Sequence, residues 1–213
     1  EDARADALTT RTKFSYGLGA LGKDFACSIV YLFLMYYYTD VAGVPAAFVG
    51  TLFLVVRMID AVSDPVMGMI VDNTRSRFGK FRPWIVLGTV VNSLALLALF
   101  SAHLFSGSQL LLFVTVTYIV WGLTYTIMDI PFWSMVPALS AHREERERLV
   151  VWPRLFASIA WTVVGTYGLA TIGVLGKGDD GKGFLLLCGL IIIAFIASAL
   201  VTFTQVKEQV ATQ

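Results

Sequence analysis

Six stretches of the chain are almost wholly apolar: about Phe14–Thr39, Phe48–Val71, Pro83–His103, Gln109–Pro137, Val150–Leu175 and Phe184–Thr204. Each runs for roughly 20 residues or more, the length a helix needs to cross a hydrocarbon core of about 30 Å. The runs are continuous rather than alternating, which predicts helices and not barrel strands. The expected fold class is therefore an all-α membrane protein with six transmembrane helices. The bundle covers 14–204, with a polar tail at 1–13 and a second tail, or the start of a loop, at 205–213.

Composition agrees with the pattern. Hydrophobic residues make up 57% of the 213 and charged residues 15%, against about 45–50% and 25% in a soluble domain. The opening segment is polar and has no apolar signal-peptide core. Cys27 and Cys188 fall inside apolar runs and read as small buried residues; His103 and His142 fall in connections. No nucleophile–base pair and no metal set stands out, so an enzyme is not expected, nor a nucleic-acid partner. The partner the composition does call for is membrane lipid.

Charge placement gives an orientation. Arg4, Arg11 and Lys13, then Arg75, Arg77, Lys80 and Arg82, then Arg143, Arg146 and Arg148, and finally Lys207 all fall on one side of the predicted bundle. The other side has Lys177 and Lys182, offset by Asp179 and Asp180. The excess of Lys and Arg places both termini in the cytoplasm of a multi-pass inner (plasma) membrane protein. Between the second and third runs, the basic stretch from Asp72 to Pro83 is a topology anchor or a gate. In the second role its cations would pair with Asp72 and with Glu144, Glu145 or Glu147.

Seven charges remain inside the spans: Lys23, Asp24, Arg57, Asp60, Asp64, Asp129 and Arg154. Arg57, Asp60 and Asp64 lie on one face of the second helix. A charge at mid-membrane costs about 2.5–3.5 kcal/mol on insertion scales and normally marks an ion or substrate pathway. The seven sum to one negative charge, which a single monovalent cation would neutralise. In the fourth run Tyr125, Asp129 and Trp133 form a row at i, i+4 and i+8. A carboxylate to accept from hydroxyls and aromatic faces to cover ring C–H groups suit a sugar. Thr126 adds a neutral oxygen of the kind hard cations prefer, and Pro131 interrupts the helical hydrogen bonding nearby. The stretch Gly17-Leu-Gly19-Ala-Leu-Gly22 matches a dinucleotide fingerprint, but it lies within a predicted membrane helix, where small residues allow close packing.

Tyr16-Gly-Leu-Gly-Ala-Leu-Gly-Lys23-Asp24-Phe, Tyr36-Tyr-Tyr-Thr-Asp40, Arg57-Met-Ile-Asp60-Ala-Val-Ser-Asp64-Pro65, Thr74-Arg-Ser-Arg-Phe-Gly-Lys-Phe-Arg-Pro-Trp84 and Tyr125-Thr-Ile-Met-Asp-Ile-Pro-Phe-Trp-Ser134 together resemble the glycoside–pentoside–hexuronide cation symporters of the major facilitator superfamily. The likeness runs from Phe14 to about Val206. It implies the N-terminal half of a major-facilitator fold, a 3+3 inverted repeat, and a cation-coupled symport of a galactoside-type sugar such as melibiose. It implies cation-binding roles for Asp60, Asp64, Ser63, Thr126 and Asp129, with Asp60, Asp64 and Thr126 as ligands of a monovalent ion. Sugar-binding roles fall on Lys23, Asp24, Tyr125, Asp129, Trp133 and Arg154, while Arg57 matches a charged position without an assigned role. The coupling ion is Na+, Li+ or H+; sodium-using members carry Asn where this chain has Ser63, which moves the expectation toward H+ or Li+. No other cofactor is implied. Family members have about twelve spans, so a C-terminal six-helix half is the expected partner. A same-fold symporter for another solute, or a truncated non-transporting membrane subunit, is the alternative.

Overall fold

The computed structural model describes residues 8–208, so Arg4 and the outer parts of both tails lie outside it. It is all-helical: α1 Thr10–Tyr36, α2 Ala46–Asp72, α3 Arg82–Leu99, α4 Gly107–Ser134, the four-residue α5 Val136–Leu139, α6 Arg143–Gly176 and α7 Asp180–Gln205. A π-helical turn, Tyr37–Val41, continues α1, and a 3-10 turn, Ala102–Leu104, follows α3. Six of these helical segments are long and apolar enough to cross a membrane, one for each apolar run. The largest departure is at α6, which begins at Arg143, seven residues ahead of its apolar run. Glu144 and Glu145 in its first turn favour that extension, because carboxylates stabilise the positive end of a helix. Pro65, Pro131 and Pro153 stand inside α2, α4 and α6 without ending them.

Helix α1 packs chiefly against α6 and α7; α7 also packs on α3, α3 on α4, and α4 on α2. The glycines of α1 permit this. A Cβ at Gly17 would meet the Phe156 side chain of α6 at 2.7 Å, and one at Gly22 would meet the Ala194 carbonyl of α7 at 2.8 Å. The fingerprint-like spacing is thus a packing device. On α3, Gly88 lies against Met128 of α4, and Asn92 Nδ2 donates to the Trp121 carbonyl and to Thr124 Oγ1, at 3.0 and 2.9 Å. These contacts fix α4 from behind and leave its Tyr125/Asp129 face toward α1.

One end of the bundle gathers the start of α1, the 73–81 loop, the start of α6 and the end of α7. Lys13 pairs with Glu145 at 2.8 Å. Glu208 accepts from the backbone N–H groups of Lys80 and Phe81, at 2.8 and 2.9 Å, while the Arg82 guanidinium donates to the Phe203 carbonyl. Within the basic loop Lys80 pairs with Asp72 at 3.0 Å, as the gate reading expects. Its other half is not what the structure shows: Glu145 pairs with Lys13 and Arg148, and Glu147 with Arg143. At the opposite end, Tyr37 Oη bonds both the ring and the backbone N–H of His103, tying the π turn to the segment after α3.

Candidate functional site

A cavity of about 160 Å³ opens between α1, α2 and α4, lined by Tyr31, Arg57, Asp60, Asp64, Trp121, Gly122, Tyr125, Thr126, Asp129 and Ile130. Its lining is mostly polar and charged, and two small charge clusters meet at its walls.

The first cluster belongs to α2. Arg57 Nη2 pairs with Asp60 Oδ2 at 3.1 Å, and Arg57 Nη1 donates to Tyr31 Oη of α1 at 2.7 Å. The guanidinium lies 5.5 Å from the Tyr31 ring centre. One turn further on, Asp64 Oδ1 accepts the Thr126 hydroxyl of α4 at 2.9 Å. Asp60 and Asp64 face α4 where Gly122 leaves room: a Cβ there would stand 3.4 Å from Asp60 Oδ1. Two carboxylates, one guanidinium and one hydroxyl make a group with a single net negative charge.

The second cluster bridges α1 and α4. Lys23 is buried, with only 4% of its surface exposed. Its Nζ bonds Asp129 Oδ1 at 2.8 Å, stands 3.5 Å from Asp24 Oδ2 and reaches Tyr125 Oη at 3.5 Å. Three rings surround the ammonium, those of Tyr125, Phe132 and Trp133, with centres at 5.8, 5.4 and 5.4 Å. A buried cation is tolerable because it is paired and packed against aromatic faces. The other oxygen of Asp24 accepts from Trp161 Nε1 of α6 at 3.0 Å. This cluster also carries a net single negative charge.

Most of the residues singled out in the sequence therefore meet. Asp60, Asp64, Thr126, Tyr125 and Asp129 line the cavity, and Lys23 and Asp24 stand behind Asp129. Two do not join them. The Ser63 hydroxyl turns back to the Asp60 carbonyl of its own helix at 3.4 Å and is not part of the cavity lining; a serine in a helix readily bonds backward in this way. Arg154 lines a separate, wider hollow of about 540 Å³ with Trp133, Val136, Pro137, Arg143, Arg146, Glu147 and Val150. Trp133 touches both regions, through its ring over Lys23 and its place in the second hollow. The seven intramembrane charges are thus not one pool.

Four residues that the chemistry involves went unnoticed in the sequence: Tyr31, Trp121, Trp161 and Glu208. Two had a readable signal. Trp121 extends the row of Tyr125 and Asp129 by one more turn, and Tyr31 stands two turns (i, i+7) after Asp24 on the same face. Trp161 and Glu208 act across the fold and have no local signature.

A family model described as MFS/sugar transport protein matches residues 15–213. The chain belongs to that family. Its six long apolar helices fit the N-terminal half of a major-facilitator transporter. It is 34% identical over 202 residues to the putative glycoside/cation symporter YagG of Escherichia coli K12, covering 95% of this chain and 44% of that protein. It is 32% identical over 208 residues to the inner membrane symporter YicJ of the same organism, covering 97% and 45%. The isoprimeverose transporter of Lactiplantibacillus pentosus is 32% identical over 206 residues, covering 94% and 42%. The chain thus spans less than half the length of these relatives. They are transporters, and no enzyme family is indicated.

Proposed function

We propose that the chain is the N-terminal half of a cation-coupled sugar symporter of the cytoplasmic membrane, with both termini in the cytoplasm. The observation that carries this is the pair of adjacent clusters, each with two carboxylates to one cation. The Asp60/Asp64/Thr126 group, one positive charge short, would take a monovalent ion. Oxygen ligands and a single negative charge suit Na+, Li+ or H+. With Ser63 turned onto its own helix, the ion would rely on Asp60, Asp64, Thr126 and Asp129.

The Lys23/Asp24/Asp129 group would take the sugar. Its carboxylates would accept from hydroxyls, and the Tyr125 and Trp133 rings would cover C–H surface. Arg154, in the neighbouring hollow beside Trp133, would donate to the far end of a longer glycoside. A galactoside such as melibiose is the substrate that the sequence motifs favour; the relatives named for glycosides and isoprimeverose support the broader class. The second six-helix half would close the cavity. Helices α2 and α6 are the least buried spans and offer the faces for it, as transporters built from two halves require.

A shared wall couples the two ligands. Asp129 lines the cavity beside Thr126 and also holds Lys23. Drawing Asp129 toward an ion would loosen Lys23, so each ligand would change the affinity of the other by the same factor. The test is sugar affinity of the full-length transporter with and without Na+, Li+ or a lowered pH. A rise of fivefold or more with one of these ions is expected, and an affinity indifferent to all three refutes the proposal.

A further inference from the structure

Arg57 lines the cavity and sets the net charge of its α2 cluster, yet the proposed symport gives it no direct contact with the ion or the sugar. A guanidinium beside a cation site needs a reason, because it repels the ion the site is to hold. Its geometry supplies one. One arm pairs with Asp60 and the other rests on the Tyr31 hydroxyl, at 3.1 and 2.7 Å. The Arg57 side chain is 47% exposed and the Asp60 side chain 17%, so of the two it is the arginine that has open space to move into. Tyr31 is held in turn between the rings of Trp121 and Trp161, at 6.3 and 6.0 Å.

We infer that Arg57 is a tethered counter-ion of the cation site, resting on the proposed symport. It pairs with Asp60 while the mobile ion is absent and withdraws onto Tyr31 when the ion enters. It also fixes the charge of the Asp60/Asp64 pair at minus one, so that a monovalent ion completes the site and a divalent ion overfills it. Without Arg57 the pair carries two negative charges, which is the number a divalent cation matches. Tyr31 serves as the arginine's second resting place through its hydroxyl and its ring face.

The inference predicts a gain of affinity on removing a residue, which damage to the fold does not produce. Tryptophan fluorescence of the full-length transporter is titrated with NaCl, LiCl and CaCl2 in a choline background. Arg57→Gln is expected to bind the monovalent ion about fivefold tighter, the upper range for a partly exposed ion pair, and to admit Ca2+ as a competitor. Arg57→Lys keeps the charge and should show no effect of Ca2+, although its single ammonium cannot hold Asp60 and Tyr31 with two arms as the guanidinium does. Tyr31→Phe removes the alternative anchor for the arginine and should weaken monovalent binding by about two- to threefold. Unchanged or weaker binding in a folded Arg57→Gln, or no effect of Tyr31→Phe, overturns the inference while leaving symport intact. A wild type that responds to pH but to neither Na+ nor Li+ also removes it and leaves proton coupling standing. A wild type whose sugar affinity ignores every cation removes both.

Discussion

Replacing Lys23 with Met tests whether the second cluster is held together by one buried cation. The side chain keeps a similar length and loses its charge, which leaves Asp24 and Asp129 facing each other without a partner. Breaking a buried pair by deleting one member costs about 3–5 kcal/mol. The Asp129 side chain is 27% exposed and that of Asp24 12%, so hydration relieves part of the penalty, and about 3 kcal/mol is expected. Adding Asp129→Asn removes the facing charge and leaves Asp24 on the Trp161 N–H. The double variant should then recover about 1–2 kcal/mol, a coupling of the size seen between residues in contact. Equilibrium unfolding in mixed detergent–SDS micelles, followed by far-ultraviolet circular dichroism, measures all four corners of the cycle. A Lys23→Met protein within about 1 kcal/mol of the wild type refutes the argument. So does a double variant whose loss equals the sum of the two single losses.

Gly22→Leu should cost about 1–3 kcal/mol or more in the same unfolding measurement, because its Cβ meets the Ala194 carbonyl at 2.8 Å and α1 cannot close on α7. Gly50→Leu is the control, since nothing lies within 4 Å of a Cβ there, and it should not destabilise. Thr126→Val keeps the shape but removes the hydroxyl 2.9 Å from Asp64. It should weaken the coupling ion by about tenfold, as expected for a hydrogen bond to a charged group, with sugar affinity in the absence of the ion unchanged. Glu208→Ala deletes the acceptor for two N–H groups at the head of α3, a cap worth about 1 kcal/mol. Trypsin should then cut the loop at Arg75 and Arg77 about fivefold faster, and an unchanged rate counts against the cap.

The spans were legible because hydrocarbon demands a continuous apolar run, and a run of that length announces itself without knowledge of its neighbours. The same logic explains the misjudged start of α6. Hydropathy sees only the part of a helix that lies in lipid, whereas Arg143 to Arg148 is a charged helical head stabilised by its own Glu144 and Glu145. The Tyr125/Asp129 row was legible from the i, i+4 period. Trp121 and Tyr31 lie on readable faces but carry no charge, so the pattern of intramembrane charges does not point to them. The Trp161–Asp24 bond spans 137 residues of sequence and the Glu208–Lys80 bond 128, so both depend on which helices become neighbours.

That dependence also limits what counting charges can do. Summed over the chain, the intramembrane charges call for one cation, but the sum includes Arg154, which the fold assigns to another hollow. Taken where they stand, the charges form two groups, each one positive charge short, which meet α4 at Thr126 and at Asp129. A deficit shared by the whole bundle would fit a single ion anywhere. Two local clusters side by side leave one for an ion and the other with carboxylates free to accept from the hydroxyls of a neutral ligand, and this division is what the proposed symport rests on.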